Sequence, residues 1–308
     1  MKRLLILPLL LLLSACDKPV TEKGSQPPQP NMQFRQDPGY SGENAYLHCR
    51  NICRMGPRPT GSPAYSQQID YLTLHLQEAG WQVVQRTFSL SNGARMTNLH
   101  AVMGTAADFD TRPIIITCHI DTKAGIGPNF VGADDGASAA AAMLELARTL
   151  KERKELGGQV ELIFFDGEEA FAPRMSATDG LYGSRYEVMR RSHNMPRYQI
   201  NLDMVGGRNK TIAVPVLDTG DEMLAEYEAA VLKLGYSTRK WTLYPGSYLD
   251  DHIPFAEAGV QSLNLICEFT GSSWWHTERD AMDRICPDSL RETGQMVLEL
   301  LSRLVSKL

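Results

Sequence analysis

The chain has 308 residues, 43% of them apolar and 22% charged, a globular composition long enough for one large domain or two small ones. Its formal net charge is −5 and no block of Lys or Arg stands out beyond the first residues, which excludes nucleic acid as the expected partner and leaves a small molecule or a peptide. A single α/β domain is the simplest expectation.

The chain opens with a targeting segment over residues 1–16: Lys2 and Arg3, an apolar run from Leu4 to Leu13, then Ser14, Ala15 and Cys16. It is too short to span a membrane and reads as a signal peptide. The stretch LSAC resembles the bacterial lipobox, which implies cleavage before Cys16 and lipid on its sulfur and new amino terminus. Asp17, next after the lipidated position, resembles the signal that retains lipoproteins in the inner membrane. Residues 17–43 are rich in Pro, Gln, Gly and Ser and read as a tether; as a flexible coil it would hold the domain on the order of 30 Å from the membrane. The expected catalytic domain, residues 44–308, then sits in the cell envelope, lipid-anchored on the periplasmic side.

Within the domain, residues 45–55 are expected to be helical and GPRPTGSP (56–63) to break the chain. Residues 65–79 place Ile69, Leu72, Leu76 and Ala79 at helical spacing before Gly80, and His75 on that helix reads as packing. Residues 81–90 and 98–103 alternate as half-buried strands, the antiparallel edge of a mixed sheet. PIIITC (113–118) is a buried strand ending on His119 and Asp121; after a Gly/Pro loop, ADDG (133–136) precedes an Ala-rich helix to about residue 151. VELIFF (160–165) is a second buried strand, breaking into Asp166, Glu168 and Glu169. A helix follows near 181–191, then a strand over 198–204 that delivers Asp203, a strand over 211–216 and a helix over 222–234. A loop with Asp250, Asp251 and His252, a strand over 261–266, the segment Trp274–Trp275–His276 and an amphipathic helix over 287–308 complete the chain. Helices alternating with buried strands predict an α/β fold: a mixed, mostly parallel central sheet with helices on both faces.

An isolated DGEE is more often a solvated acidic loop than a site. At the carboxyl end of a buried strand it gains meaning, because open α/β sheets bind ligands at that edge. Adjacent side chains diverge, so the two glutamates divide naturally into one metal ligand and one proton carrier. His119, Asp135, Glu169, Asp203 and His276 are five candidate zinc ligands, nearly all at strand ends or in the loops that follow. Imidazole and carboxylate suit Zn²⁺, and three protein ligands with an open position make a catalytic site. Asp121, two residues beyond His119, is spaced to orient it. Five cysteines follow Cys16, namely Cys49, Cys53, Cys118, Cys267 and Cys286; an oxidising compartment permits disulfides and an odd count leaves at least one thiol.

HID (119–121), GADDGAS (132–138), FFDGEEAF (164–171), LYGSR (181–185), LDMVG (202–206), DDHIPF (250–255) and WHT (275–277) occur in the order found in the zinc aminopeptidase superfamily that also contains the glutaminyl cyclases. The similarity spans roughly residues 56–283 and implies the α/β/α sandwich of that superfamily. DGEEAF with LYGSR, DDHIPF and the Trp before His276 resemble the cyclases in particular. That resemblance implies one zinc on Asp135, Glu169 and His276, Glu168 as general acid/base, Asp203 and Asp250 in a carboxylate network with it, and Trp275 as an aromatic wall. The activity implied is cyclisation of an amino-terminal glutamine of peptides or proteins to pyroglutamate, with release of ammonia. The alternative on the same scaffold is a two-zinc aminopeptidase in which His119 and Asp203 complete a second site with Asp135. Trp274, Asp251 and His252 are weaker candidates for function.

The chain departs from the animal cyclases at two places. It reads Ala172–Pro173–Arg174 where they carry a Trp, which puts one pocket wall in doubt. Cys118 matches one of their disulfide cysteines, but the partner position falls in residues 139–142, all alanine, so a buried thiol is expected.

Overall fold

A computed structural model describes residues 33–308 apart from 177 and 192. The expected leader, Cys16 and most of the tether lie outside the described residues. Residues 33–41 lead into the first helix, with Phe34 set against His48 and the Arg35 amide donating to Asn44 Oδ1 at 2.7 Å.

Six strands form the main sheet: β1 (Gln82–Ser89), β2 (Arg95–Val102), β3 (Ile114–His119), β4 (Val160–Phe165), β5 (Tyr198–Asp203) and β8 (Gln261–Ile266), ordered β1-β2-β4-β3-β5-β8. The pairs β1–β2 and β2–β4 are antiparallel and the remaining neighbours parallel, as the sequence leads one to expect. From β3 the chain crosses to β4 on one side and then to β5 on the other. The connections therefore part at the carboxyl end of β3, which is where an open α/β sheet leaves a ligand crevice. Two further strands, β6 (Ile212–Pro215) and β7 (Trp241–Tyr244), pair with each other in a separate small sheet. A strand at 211–216 is expected from the sequence but its partner is not, because the four residues of WTLY are too short to show a period.

The helices are α1 (Gly42–Cys53), α2 (Pro63–Glu78), α3 (Ala139–Leu150), α4 (Lys154–Gly157), α5 (Tyr182–Arg190), α6 (Asp221–Leu234), α7 (Ile253–Glu257) and α8 (Pro287–Val305). Local chemistry sets their ends: Ser62 accepts from the Tyr65 amide with Pro63 in the first turn of α2, and Gly235 closes α6 in the left-handed region. The four consecutive alanines of α3, Ala139 to Ala142, are all buried; their small side chains let α3 approach both the sheet and α1. His75 packs in a ring cluster with His48 and Tyr71 and bonds to Glu78, a structural role.

The sheet's two faces are unequal. Ile114, Ile116, Leu162, Phe164, Ile200, Leu202, Leu263 and Leu265 belong to the large apolar core that also takes in α1, α3, α6 and α8. The alternate positions face α5 and α7, where the apolar cluster is small: Ile115, Ile163, Phe165, Phe255 and Val260. The rest of that face is polar and paired. Glu161, expected in an apolar strand, is buried between His100 (2.7 Å) and Arg191 (2.8 Å). The five cysteines beyond the tether are all free thiols, and Cys118 is buried as expected.

Candidate metal centre and active site

Each acidic pair at the sheet's edge stands on irregular backbone. After β3 the chain passes Gly132 (φ 50°), Asp135 (φ −81°, ψ 94°) and Gly136 (φ 94°) before α3 begins. A Cβ on Gly136 would lie 3.0 Å from the Asp121 carbonyl and 3.3 Å from the His119 ring, so only glycine admits the histidine here. After β4, Gly167 (φ 72°) turns the chain into Glu168 and Glu169. Their amides donate to the two oxygens of Asp121, each at 3.2 Å. Asp121 was expected to orient His119, but its Oδ1 stands 3.8 Å from His119 Nδ1 and that nitrogen has no hydrogen-bond partner. Asp121 instead holds the backbone of the glutamate pair. Asp166, the other carboxylate of the motif, binds Thr60 Oγ1 and the Thr97 amide and takes no part in the centre.

The five expected ligands converge in two groups that share Asp135: Asp135, Glu169 and His276 in one, and His119, Asp135 and Asp203 in the other. In each group the ligand atoms lie within 4.8 Å of one another. His276 Nε2 is 3.1 Å from Glu169 Oε1 and 3.4 Å from Asp135 Oδ2. His119 Nε2 is 3.3 Å from Asp135 Oδ1 and 3.2 Å from Asp203 Oδ1. Asp135 Oδ2 is buried and accepts no hydrogen bond. A buried carboxylate oxygen left bare beside an imidazole and a second carboxylate suits a cation, and this donor set suits zinc.

Burial raises the Glu168 carboxyl well above the usual carboxylate range; His119 opposes this, and the charges of Glu169, Asp250 and Asp251 reinforce it. Asp203 is pushed up to about 7, by burial and by Asp250 and Asp135, against the hydrogen bond from His119. At His276 burial favours the neutral ring, but Asp135 and Glu169 prevail and raise the imidazole to about 10.

A cavity of about 570 Å³ opens above the ligands, with Glu168, Asp203, Leu249, Asp250, Phe269 and Trp275 among its walls. Trp275 is 38% exposed, stacks on His276 at 4.0 Å between ring centroids and leans on Phe269 at 4.7 Å. Trp274 is core, packed with Met204 and Tyr248 and covered by the Arg284 guanidinium. His252 is buried beside Asp218, and Asp251 accepts from Ser184 Oγ at 2.5 Å; neither lines the cavity. Where the resemblance leads one to expect an aromatic wall stand Pro173, Arg174 and Met175. Their loop is pinned on two sides. Lys123 Nζ donates to the carbonyls of Ala170 and Ala172, while Asp179 accepts from the amides of Phe171 and Ala172, both at 2.8 Å.

Residues that the sequence reading passed over hold Asp250. Asn201 and Asn264 each donate a side-chain N–H to it (3.1 and 2.7 Å), and Thr117 Oγ1 donates to Asn201 Oδ1 at 2.6 Å. These three lie on adjacent strands, on the face toward α7. Their signal was present as polar residues at every second position, Gln199, Asn201 and Asp203 in β5 and Ser262 and Asn264 in β8, within strands whose other face is apolar. Lys123, in HIDTK, carried no local signal.

A parallel-sheet edge bearing two carboxylate–histidine groups that share one aspartate defines an aminopeptidase-like metal centre. Residues 98–301 match peptidase family M28. The glutaminyl-peptide cyclotransferase of Gloydius blomhoffii is 33% identical over 288 residues, 80% of this chain and 77% of that protein. That of Bothrops jararaca is 34% identical over the same shares. Among solved structures, the glutaminyl cyclase of Porphyromonas gingivalis superposes with TM-score 0.73 at 27% identity, covering 86% of this chain and 99% of that one. A Zn-dependent exopeptidase of Parabacteroides distasonis does so with TM-score 0.74 at 26% identity, over 85% and 98%. The chain belongs to peptidase family M28 and, within it, to the glutaminyl-peptide cyclotransferases.

Proposed function

We propose that the protein cyclises the amino-terminal glutamine of peptides to pyroglutamate and releases ammonia, with one zinc held by Asp135, Glu169 and His276. The observation that carries this reading is Glu168: buried at the cavity floor beside that ligand group, its carboxyl is raised by burial and by Asp250 and Asp251. Zinc, when bound, would polarise the side-chain carbonyl of the substrate glutamine and stabilise the charge that develops on its oxygen. Glu168 takes the proton that the α-amine loses as its nitrogen bonds to the side-chain carbonyl carbon. It returns that proton to the amide nitrogen as the carbon–nitrogen bond breaks and ammonia departs, a role suited to a carboxyl whose affinity for a proton is raised by its surroundings. Asp250, fixed by two asparagines, adds its charge beside Glu168 and so strengthens that carboxyl's hold on a proton. Trp275, Phe269 and Leu249 form an apolar wall for the glutamine methylenes. Purified protein incubated with an amino-terminal Gln peptide should yield a product one ammonia lighter, with one zinc per chain; free amino acids and no cyclised product would refute the proposal.

The complete His119–Asp135–Asp203 group favours a second reading, a two-zinc aminopeptidase. A His119→Ala protein separates the two. One zinc before and after the substitution fits the cyclase, whereas a fall from two to one fits the peptidase.

Zinc uptake should depend on pH in a defined sense. The zinc-free protein keeps His276 protonated up to about 10, and zinc takes only the neutral ring, so binding displaces a proton. The apparent affinity should rise about tenfold per pH unit for that one proton between pH 6 and 9. Competition titrations against a chelator of known pH dependence read this directly.

The proposed setting is the periplasmic face of the cell envelope, anchored through lipid on Cys16, which would act on peptides or proteins that present an amino terminus. Expressed in a lipoprotein-processing bacterium, the wild-type protein should incorporate labelled fatty acid and sediment with membranes, and Cys16→Ser should abolish both.

A further inference from the structure

We infer that Asp280 is the positioning residue of the metal centre, fixing the Asp135 and His276 loops in register through the amides of residues 133–135. Three consecutive N–H groups precede α3 in backbone too irregular to satisfy them internally. All three are taken by one distant residue. The Ala133 amide donates to the Asp280 carbonyl (3.2 Å), the Asp134 amide to its Oδ1 (2.8 Å) and the Asp135 amide to its Oδ2 (3.0 Å). Asp280 is fully buried, and its own amide donates to the Thr277 carbonyl, one residue past His276. His276 itself sits in the left-handed region at φ 51°, a backbone state that persists only where its surroundings enforce it. Asp280 therefore connects two of the three residues proposed to hold zinc. Arg58, also fully buried, supports the same loop from beneath, its Nη2 donating to the Gly132 carbonyl at 3.3 Å.

Asp280 reaches neither the cavity wall nor the ligand atoms, so its effect passes entirely through Asp135 and His276. Asp280→Asn keeps the shape but replaces one acceptor with a donor aimed at an amide, which must push the 134–135 segment away. Outer groups that orient metal ligands typically change affinity about 10–100-fold when altered.

The inference rests on the zinc reading of the site and not on cyclisation, so a zinc-binding protein that proves to be a peptidase leaves it standing; a wild-type chain that takes up no zinc overturns both. The test compares wild-type and Asp280→Asn protein, stripped of metal and titrated with zinc against a competing chelator, then reloaded with cobalt(II). The variant should bind zinc about 10–100-fold more weakly and show a shifted cobalt visible spectrum, a signature of altered ligand geometry that general destabilisation would not produce. Unchanged affinity and spectrum overturn the inference. Hydrogen exchange on zinc-free wild type gives a reading independent of whether the variant folds: amides 133–135 should be as protected as those of β3, and rapid exchange there overturns the inference equally.

Discussion

Glu168→Gln is expected to leave zinc bound at the wild-type affinity and to lower kcat by about 10²–10⁴-fold, the range that a positioned proton carrier contributes. The reason is the division of labour after β4. Glu169 Oε1 faces His276 Nε2 at 3.1 Å in the ligand group, while Glu168 stands outside that group, nearer the charges of Asp250 and Asp251. Glutamine keeps the side chain's size and removes only its ability to carry a proton. Replacing a buried, proton-hungry carboxyl with a neutral amide should not weaken the fold, so thermal melting of the zinc-free protein separates catalytic from structural loss. Metal analysis and steady-state kinetics on one preparation decide the matter; a zinc-free Glu168→Gln protein would mean that the two glutamates exchange roles.

Asp135→Ala should abolish both zinc binding and turnover. Asp135 is common to both ligand groups, so its loss removes the metal whether one ion or two are bound. With the electrophile gone, several kcal/mol of transition-state stabilisation go with it, a loss of roughly 10³-fold or more in kcat/KM. Added zinc should raise the melting temperature of the wild-type protein, since a ligand that binds only the folded state stabilises it, and should leave that of Asp135→Ala unmoved. A variant that still melts higher with zinc would place the metal elsewhere. The pair of substitutions forms a contrast: one keeps the metal and loses the proton carrier, the other loses the metal and keeps the carrier.

Strands β3 and β4 were legible because each is a largely apolar run that stops abruptly at a polar residue, β3 at His119 and β4 before Asp166. The same breaks exposed the ligands, since a sheet's carboxyl edge is where such residues gather. Roles that depend on distant contacts were not legible. Asp121 lies two residues from His119 and suggested a partner for it, yet its oxygens turn to amides 47 and 48 residues away. Asp280 grips the Asp135 amide across 145 residues, a relation that no local pattern encodes. The polar ladder Thr117–Asn201–Asn264 hides in strands whose other face is apolar, because overall hydrophobicity masks a period of two. Strand β7 escaped for a related reason: four residues carry too little pattern.

In the proposed cyclisation Glu168 moves a proton from a substrate amine and not from a metal-bound water. An amino-terminal glutamine peptide turned over in water enriched in heavy oxygen tests this directly. Cyclisation consumes no water, so the product should be one ammonia lighter and carry no label. Free glutamine bearing heavy oxygen in its carboxylate, with no cyclised product, would contradict the account.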